Sequence, residues 1–280
     1  MNTSVSPSER VIDGLACRIY GTGQPLLMIH GIISDGTFFD ACAQWLSHFY
    51  TVITYDRRSY GNSTAEKYTD YTVKTQADDA ASILEAVGFG PAYILGNSAG
   101  GLIGLELTMQ HPHLVKGLLM IEPSLGYDPA EREKLLAWNK LLNEYADAGQ
   151  YKQVLPEFTK ITGGSTGGGS FSMAEMKRTY QNLTAFLKGE LNDVQHYLPS
   201  KERLSQIDVP VAVAVTERGK ESIFATSSES ACEIIGWPLF HLPGYHNTYK
   251  EFPSDAAIAT HGIFSSMEKN MILTSKEVML

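Results

Sequence analysis

The sequence predicts an α/β domain, a mostly parallel sheet covered by helices on both faces. Short, continuously apolar runs of strand length alternate with longer segments of helical periodicity. Runs of that kind suit strands buried on both sides, which is the situation in a parallel sheet. A serine between two glycines sits where one such run meets the next helical segment, and that placement carries the chemistry developed below.

The first element is a hairpin at the sheet edge, with short strands at 11–12 and 16–20 around Asp13-Gly14. Central strands follow at 26–29, 52–55, 93–95, 117–121, 211–215 and 239–242, which with the hairpin makes eight. Residues 73–87 have apolar side chains at helical spacing and are stopped by Gly88 and Gly90. A helix over 99–111 ends before Pro112, and 222–235 and 255–267 complete the covering helices. Over 124–204 the alternation fails and helical stretches such as 130–148 and 173–187 replace it, separated by a glycine-rich run at 163–169 that reads as a mobile loop. The expected organisation is a core domain of residues 1–123 and 205–280 with a helical insertion at 124–204.

A chain of 280 residues that is 43% hydrophobic is neither disordered nor peptide-sized. It has 22 Lys and Arg against 31 Asp and Glu, a net charge of −9, and no basic stripe. The electrostatic footprint of a nucleic-acid binder is therefore missing. Cys17, Cys42 and Cys232 are odd in number and widely spaced, which fits neither a disulfide framework nor a zinc site, and each reads as a small buried hydrophobe. Residues 1–10 are polar and lack the apolar stretch of a secretory signal or anchor. The expectation is a cytoplasmic protein, a monomer or homodimer with no membrane or nucleic-acid partner.

Gly96-Asn97-Ser98-Ala99-Gly100 lies directly after one expected strand and directly before one expected helix. A serine on such a turn needs small flanking residues, because strand and helix pack closely around a strained backbone. The turn thrusts the hydroxyl out at the carboxyl ends of the strands, where the first N–H groups of the helix are unpaired and partly positive. Ser98 is the candidate nucleophile and Ala99 N–H a candidate oxyanion donor. A serine that merely caps the helix is the bland alternative. His30-Gly31-Ile32 closes another apolar strand and supplies the second donor, assigned to Ile32 N–H with Gly31 as the one-residue alternative. His30 itself is expected to hold its loop by hydrogen bonds.

These segments resemble the α/β-hydrolase family: His30-Gly31, then Tyr55-Asp56-Arg57-Arg58-Ser59-Tyr60-Gly61-Asn62-Ser63, the serine elbow, and Leu242-Pro243-Gly244-Tyr245-His246 near the end. The resemblance runs from about residue 14 to 267, except over the insertion, which looks like the family's variable helical cap. One departure is Ser59, where relatives usually carry glycine. The family order of nucleophile, acid and histidine implies that His246 is the general base, while His196, His241 and His261 lack that placement. Relatives usually place the acid after the strand that here is 211–215, but the matching position is Gly219. Glu122, one strand after the nucleophile, is the preferred acid, since a carboxylate ending a buried strand needs a partner. Glu217 is the alternative. A glutamate at the earlier place resembles zearalenone-lactonase-like and uncharacterised esterase-like members.

The resemblance implies hydrolysis of a carboxylic ester or lactone of a small, largely apolar substrate through an acyl-enzyme, with no metal or organic cofactor. Substrate choice is expected in the insertion, whose aromatics include Trp138, Tyr145, Phe158 and Phe186. A serine nucleophile argues against the epoxide hydrolases and haloalkane dehalogenases of this fold, which use aspartate there. Two rivals share the motifs, a carbon–carbon bond hydrolase on the same triad and a ligand receptor that keeps the triad.

Overall fold

The edge hairpin opens the chain in the computed structural model, which describes residues 6–64, 71–161 and 173–269. Strands β1 (Ser8–Ile12) and β2 (Leu15–Tyr20) pair antiparallel around Asp13 and Gly14, whose φ values are 48° and 78°. Positive φ at both central residues matches the turn to the twist of its strands. Then come β3 (Gln24–Ile29), α1 (Asp40–Leu46), β4 (Tyr50–Tyr55) and α2 (Val73–Val87). Thr72 Oγ1 caps the start of α2 by accepting from Thr75 N–H, and left-handed Gly88 ends it. Next are β5 (Ala92–Asn97), α3 (Ala99–Gln110) and β6 (Val115–Ile121).

Between β6 and the next strand the chain is helical, with α4 (Pro129–Asp147), α5 (Tyr151–Ile161), α6 (Met173–Ala185), a π-helical turn over Phe186–Glu190, α7 (Leu191–His196) and α8 (Lys201–Leu204). The glycine-rich run at 163–169 lies outside the described residues. The chain closes with β7 (Val211–Thr216), α9 (Ile223–Ile235), β8 (Leu239–Leu242), α10 (Thr248–Glu251) and α11 (Pro253–Glu268).

The eight strands form one sheet in the order β1-β2-β4-β3-β5-β6-β7-β8, parallel from β4 onward. Alternate side chains of each central strand enter opposite layers. Leu27 and Ile29 join Ala77, Ala80, Ile103 and Ala231 from α2, α3 and α9, whereas Leu26 and Met28 join Cys42, Leu46, Ala257 and Phe264 from α1 and α11. Both faces of the strands are therefore dry, which explains their unbroken apolar character. A third cluster, including Leu135, Trp138, Val154 and Phe186, belongs to the helical block and takes in Tyr60 and Phe224 from the sheet domain.

The strand order reverses between β3 and β5: from β3 the chain steps outward to β4, then crosses back to the other side. The carboxyl ends of β3 and β5 therefore lie at a topological switch point, the place where open parallel sheets bind ligands.

Ser59 sits in the loop after β4 with a φ of 62°, and its hydroxyl is buried without a partner among the described residues. Glycine at this position avoids both the left-handed penalty and the orphaned donor. Ser59→Gly is expected to stabilise the fold by about 1 kcal/mol, which raises the melting temperature by roughly 2–4 °C. A thermal melt of the variant beside the native protein checks it.

Candidate active site

Ser98 leaves β5 and starts α3 with φ 55° and ψ −124°, a conformation L-residues avoid. The surroundings enforce it. Ser98 N–H donates to Ile121 O at 2.8 Å, which pins the turn to β6. A Cβ at Gly96 would lie 2.2 Å from Gly100 O, and one at Gly100 would lie 2.0 Å from Ile29 O. Larger residues at either position would force helix and strands apart. The Ser98 side chain makes no capping hydrogen bond to α3, so the bland alternative of a helix-capping serine does not describe this residue.

The loop after β3 passes beside the elbow. A Cβ at Gly31 would sit 3.1 Å from Ser98 Cβ and 3.2 Å from Asn97 O. His30 is wholly buried. Its Nε2 accepts from Arg57 N–H at 3.1 Å, so Nδ1 carries the proton and donates to Gly31 O at 2.8 Å. His30 thus holds its loop. Ile32 N–H and Ala99 N–H have no acceptor among the described residues, and both belong to the two segments that meet at Ser98.

Glu122 follows β6 with a φ of 46° and is completely buried. One carboxylate oxygen, Oε1, accepts from Thr216 N–H at 2.8 Å and Thr216 Oγ1 at 2.6 Å. The other, Oε2, is hydrogen-bonded to His246 Nδ1. A carboxylate there is always an acceptor, so the imidazole proton lies on Nδ1 and Nε2 is left with a free lone pair. His246 is reached through the turn after β8, where Gly244 has a φ of 79°, and Phe224 from α9 packs against its ring at 4.9 Å between centroids.

The model of the family described as alpha/beta hydrolase fold matches residues 24–158. The chain has the α/β-hydrolase fold. A similar protein is the uncharacterized hydrolase YraK of Bacillus subtilis (strain 168), 26% identical over 263 residues, which cover 90% of this chain and 93% of that one. RutD of Caulobacter vibrioides is 31% identical over 137 residues, 48% of this chain and 51% of that one, so the match spans about half of RutD. Among solved structures, a thermophilic esterase from Thermogutta terrifontis superposes with a TM-score of 0.69 at 19% identity, covering 93% of this chain and 99% of that one.

Within this α/β-hydrolase the other expected site residues separate clearly. Glu217 is exposed and its backbone N–H donates to Leu242 O, whereas Glu122 touches the imidazole. A Cβ at Gly219, the usual acid position of the resemblance, would lie 2.5 Å from Thr216 Oγ1, 3.7 Å from Glu122 Oε1 and 3.8 Å from His246 N. The two acid positions therefore lie close together, and Thr216 Oγ1, hydrogen-bonded to the Glu122 carboxylate, takes the space beside the glycine. His241 is exposed on β8, the His196 ring bonds to Asn192 O, and His261 stacks on Phe49. Cys17, Cys42 and Cys232 are buried free thiols, and burial pushes Cys17 and Cys232 up to about 12.

Burial, and then the charge of Arg57, hold His30 well below the ordinary histidine value of 6.5. The unfolded chain takes up this proton near 6.5 and the folded hydrolase does not. Stability is therefore retained above 6.5 and lost as the pH falls from there toward the folded value. Urea titrations of native protein and His30→Gln between neutral and mildly acidic pH are expected to show this component in the former alone. Equal pH slopes would remove it.

Sequence reasoning missed a second buried cluster beside the site, in which Arg57, Tyr60 and Gln76 converge on Glu190 of the π-helical turn. Arg57 and Tyr60 lie in the motif that carried the resemblance. Glu190 has no local signature, because its partners are 114 to 133 positions away.

Proposed function

We propose that this hydrolase cleaves a carboxylic ester or lactone of a small, largely apolar substrate through an acyl-enzyme on Ser98. The observation that carries the proposal is the state of Glu122, a buried carboxylate that spends one oxygen on Thr216 and the other on His246 Nδ1. This supports the tautomer with its lone pair on Nε2, the form a serine nucleophile needs from its base.

Ser98 Oγ attacks the substrate carbonyl while its proton passes to His246 Nε2, and Glu122 stabilises the imidazolium. The carbonyl oxygen becomes an oxyanion held by Ile32 N–H and Ala99 N–H, the latter at the positive end of α3. Collapse of the tetrahedral intermediate expels the alcohol, which takes the proton from Nε2. Water then attacks the acyl-enzyme, giving its proton to His246 and returning Ser98 as the acid leaves.

Specificity for an apolar group rests on the third hydrophobic cluster. Phe224 belongs to it and also packs on the His246 ring, with Trp138 at 5.6 Å from Phe224 between centroids. The apolar interior of the helical block therefore reaches the reacting centre, and that block is proposed as the cap that selects substrate.

The experiment is labelling with a fluorophosphonate followed by a panel of nitrophenyl esters, lactones and a vinylogous diketone. A stoichiometric adduct on Ser98 with turnover of esters or lactones is the expected result. Turnover confined to the diketone would replace ester cleavage by carbon–carbon bond cleavage. Absence of any adduct would remove the serine mechanism.

A further inference from the structure

We propose that Arg57, clamped by Glu190 from the helical block, is the positioning residue for the oxyanion donor at Ile32. The inference rests on the assignment of that donor given above and adds a device that orients it.

The geometry begins with a single peptide plane. Gly31 C=O and Ile32 N–H belong to the same amide, and no peptide bond among the described residues is cis. In a trans amide the two groups point in opposite directions within one plane, so whatever fixes the oxygen also aims the N–H. Gly31 O is fixed twice, by Arg57 Nη2 at 2.9 Å and by His30 Nδ1 at 2.8 Å. Two donors saturate its two lone pairs. The guanidinium bond is charge-assisted, and electron density drawn toward the oxygen makes the N–H on the far side a better donor.

Arg57 is itself held from several directions. Nη1 and Nη2 donate to Glu190 Oε2 and Oε1 at 2.6 and 3.0 Å, and Nη1 also donates to Gln76 Oε1. Glu190 additionally accepts from Tyr60 OH and from Gln76 Nε2. Arg57 and Glu190 are 1% and 0% exposed. A buried pair of this kind contributes little stability beyond an apolar packing of the same volume. What it supplies here is direction: a planar fork that meets a carboxylate on one side and one chosen carbonyl on the other. Glu190 also ends a π-helical turn, a local distortion that recurs at functional sites.

Two variants test the inference, with p-nitrophenyl acetate as substrate and a trifluoromethyl ketone as the probe of tetrahedral-adduct binding. Arg57→Lys keeps the charge opposite Glu190 but loses the fork. The double variant R57M/E190L removes both charges together and so leaves no unpaired ion in the core. Circular dichroism and melting temperature establish folding for each. In both, kcat is expected to fall by roughly 10- to 100-fold, less than the loss from deleting a donor outright, with KM within about twofold. Ketone affinity is expected to fall by the same factor as kcat.

An unchanged kcat, or a loss carried by KM with ketone binding intact, would overturn the positioning role. Fluorophosphonate labelling of Ser98 in the native protein separates the two levels. A labelled, active native enzyme whose variants keep kcat sinks this inference alone, whereas an unlabelled native enzyme takes the serine mechanism and this inference down together.

Discussion

Replacing Ser98 by glycine is expected to abolish turnover, lowering kcat by about 10⁶, while making the protein more stable. The two effects have one origin. The nucleophile position requires φ 55° and ψ −124°, which costs a residue with a Cβ about 1–3 kcal/mol and glycine far less. Glycine's greater chain entropy when unfolded cancels part of the gain, leaving about 1 kcal/mol in favour of the variant. Ser98→Ala keeps the strain and loses the hydroxyl, so it should be as inactive as Ser98→Gly without the added stability. Thermal melts and ester assays of the pair check both halves. A glycine variant no more stable than the alanine variant would mean that the elbow stores no strain.

Glu122→Gln is expected to lower kcat by about 10⁴ and leave the fold intact, whereas Glu217→Gln leaves turnover almost unchanged. The magnitude follows from a forced choice of tautomer. Thr216 N–H can only donate, and it faces the Oε1 position together with the Thr216 hydroxyl. The glutamine oxygen must stay there, so its amide nitrogen faces His246 Nδ1. An N–H group cannot accept the Nδ1 proton, which moves to Nε2 and removes the base from Ser98. The wrong tautomer, more than the lost charge, therefore causes the defect. Steady-state kinetics on the two variants decide the matter, and a greater loss from Glu217→Gln would transfer the acid role to the loop after β7.

Much of this fold was legible because local and tertiary signals agree. The helix expected over 73–87 is α2 with the same bounds, since Gly88 marks its end as clearly as its apolar face marks its middle. The Asp13-Gly14 turn specified its hairpin for a similar reason, as both residues tolerate the positive φ found there. The elbow could be located from Ser98 because its flanking glycines answer to backbone clashes at 2.2 and 2.0 Å, a purely steric demand.

Other features depended on contacts that no local pattern encodes. Helix α1 spans only Asp40–Leu46, too short to display a periodic face, and is held by packing against Phe264 and its neighbours. The helix expected over 173–187 gives way to a π-helical turn at Phe186, and that turn ends on the glutamate that meets Arg57. Glu190 reads as an ordinary surface charge until the fold brings three donor residues to it. The acid was discernible as a carboxylate ending an apolar strand, yet the choice between Glu122 and Glu217 turns on which one reaches the imidazole.

The central claim is that a covalent ester forms on Ser98 during turnover. Acid-quenching the enzyme in the pre-steady state with p-nitrophenyl acetate, then mapping the acetyl group by peptide mass spectrometry, tests it directly. The account predicts a burst of nitrophenol matching the enzyme concentration and one acetyl group on the peptide containing Ser98, both absent in Ser98→Ala. Undiminished turnover by Ser98→Ala, or an acetyl group on another residue at burst stoichiometry, would contradict it.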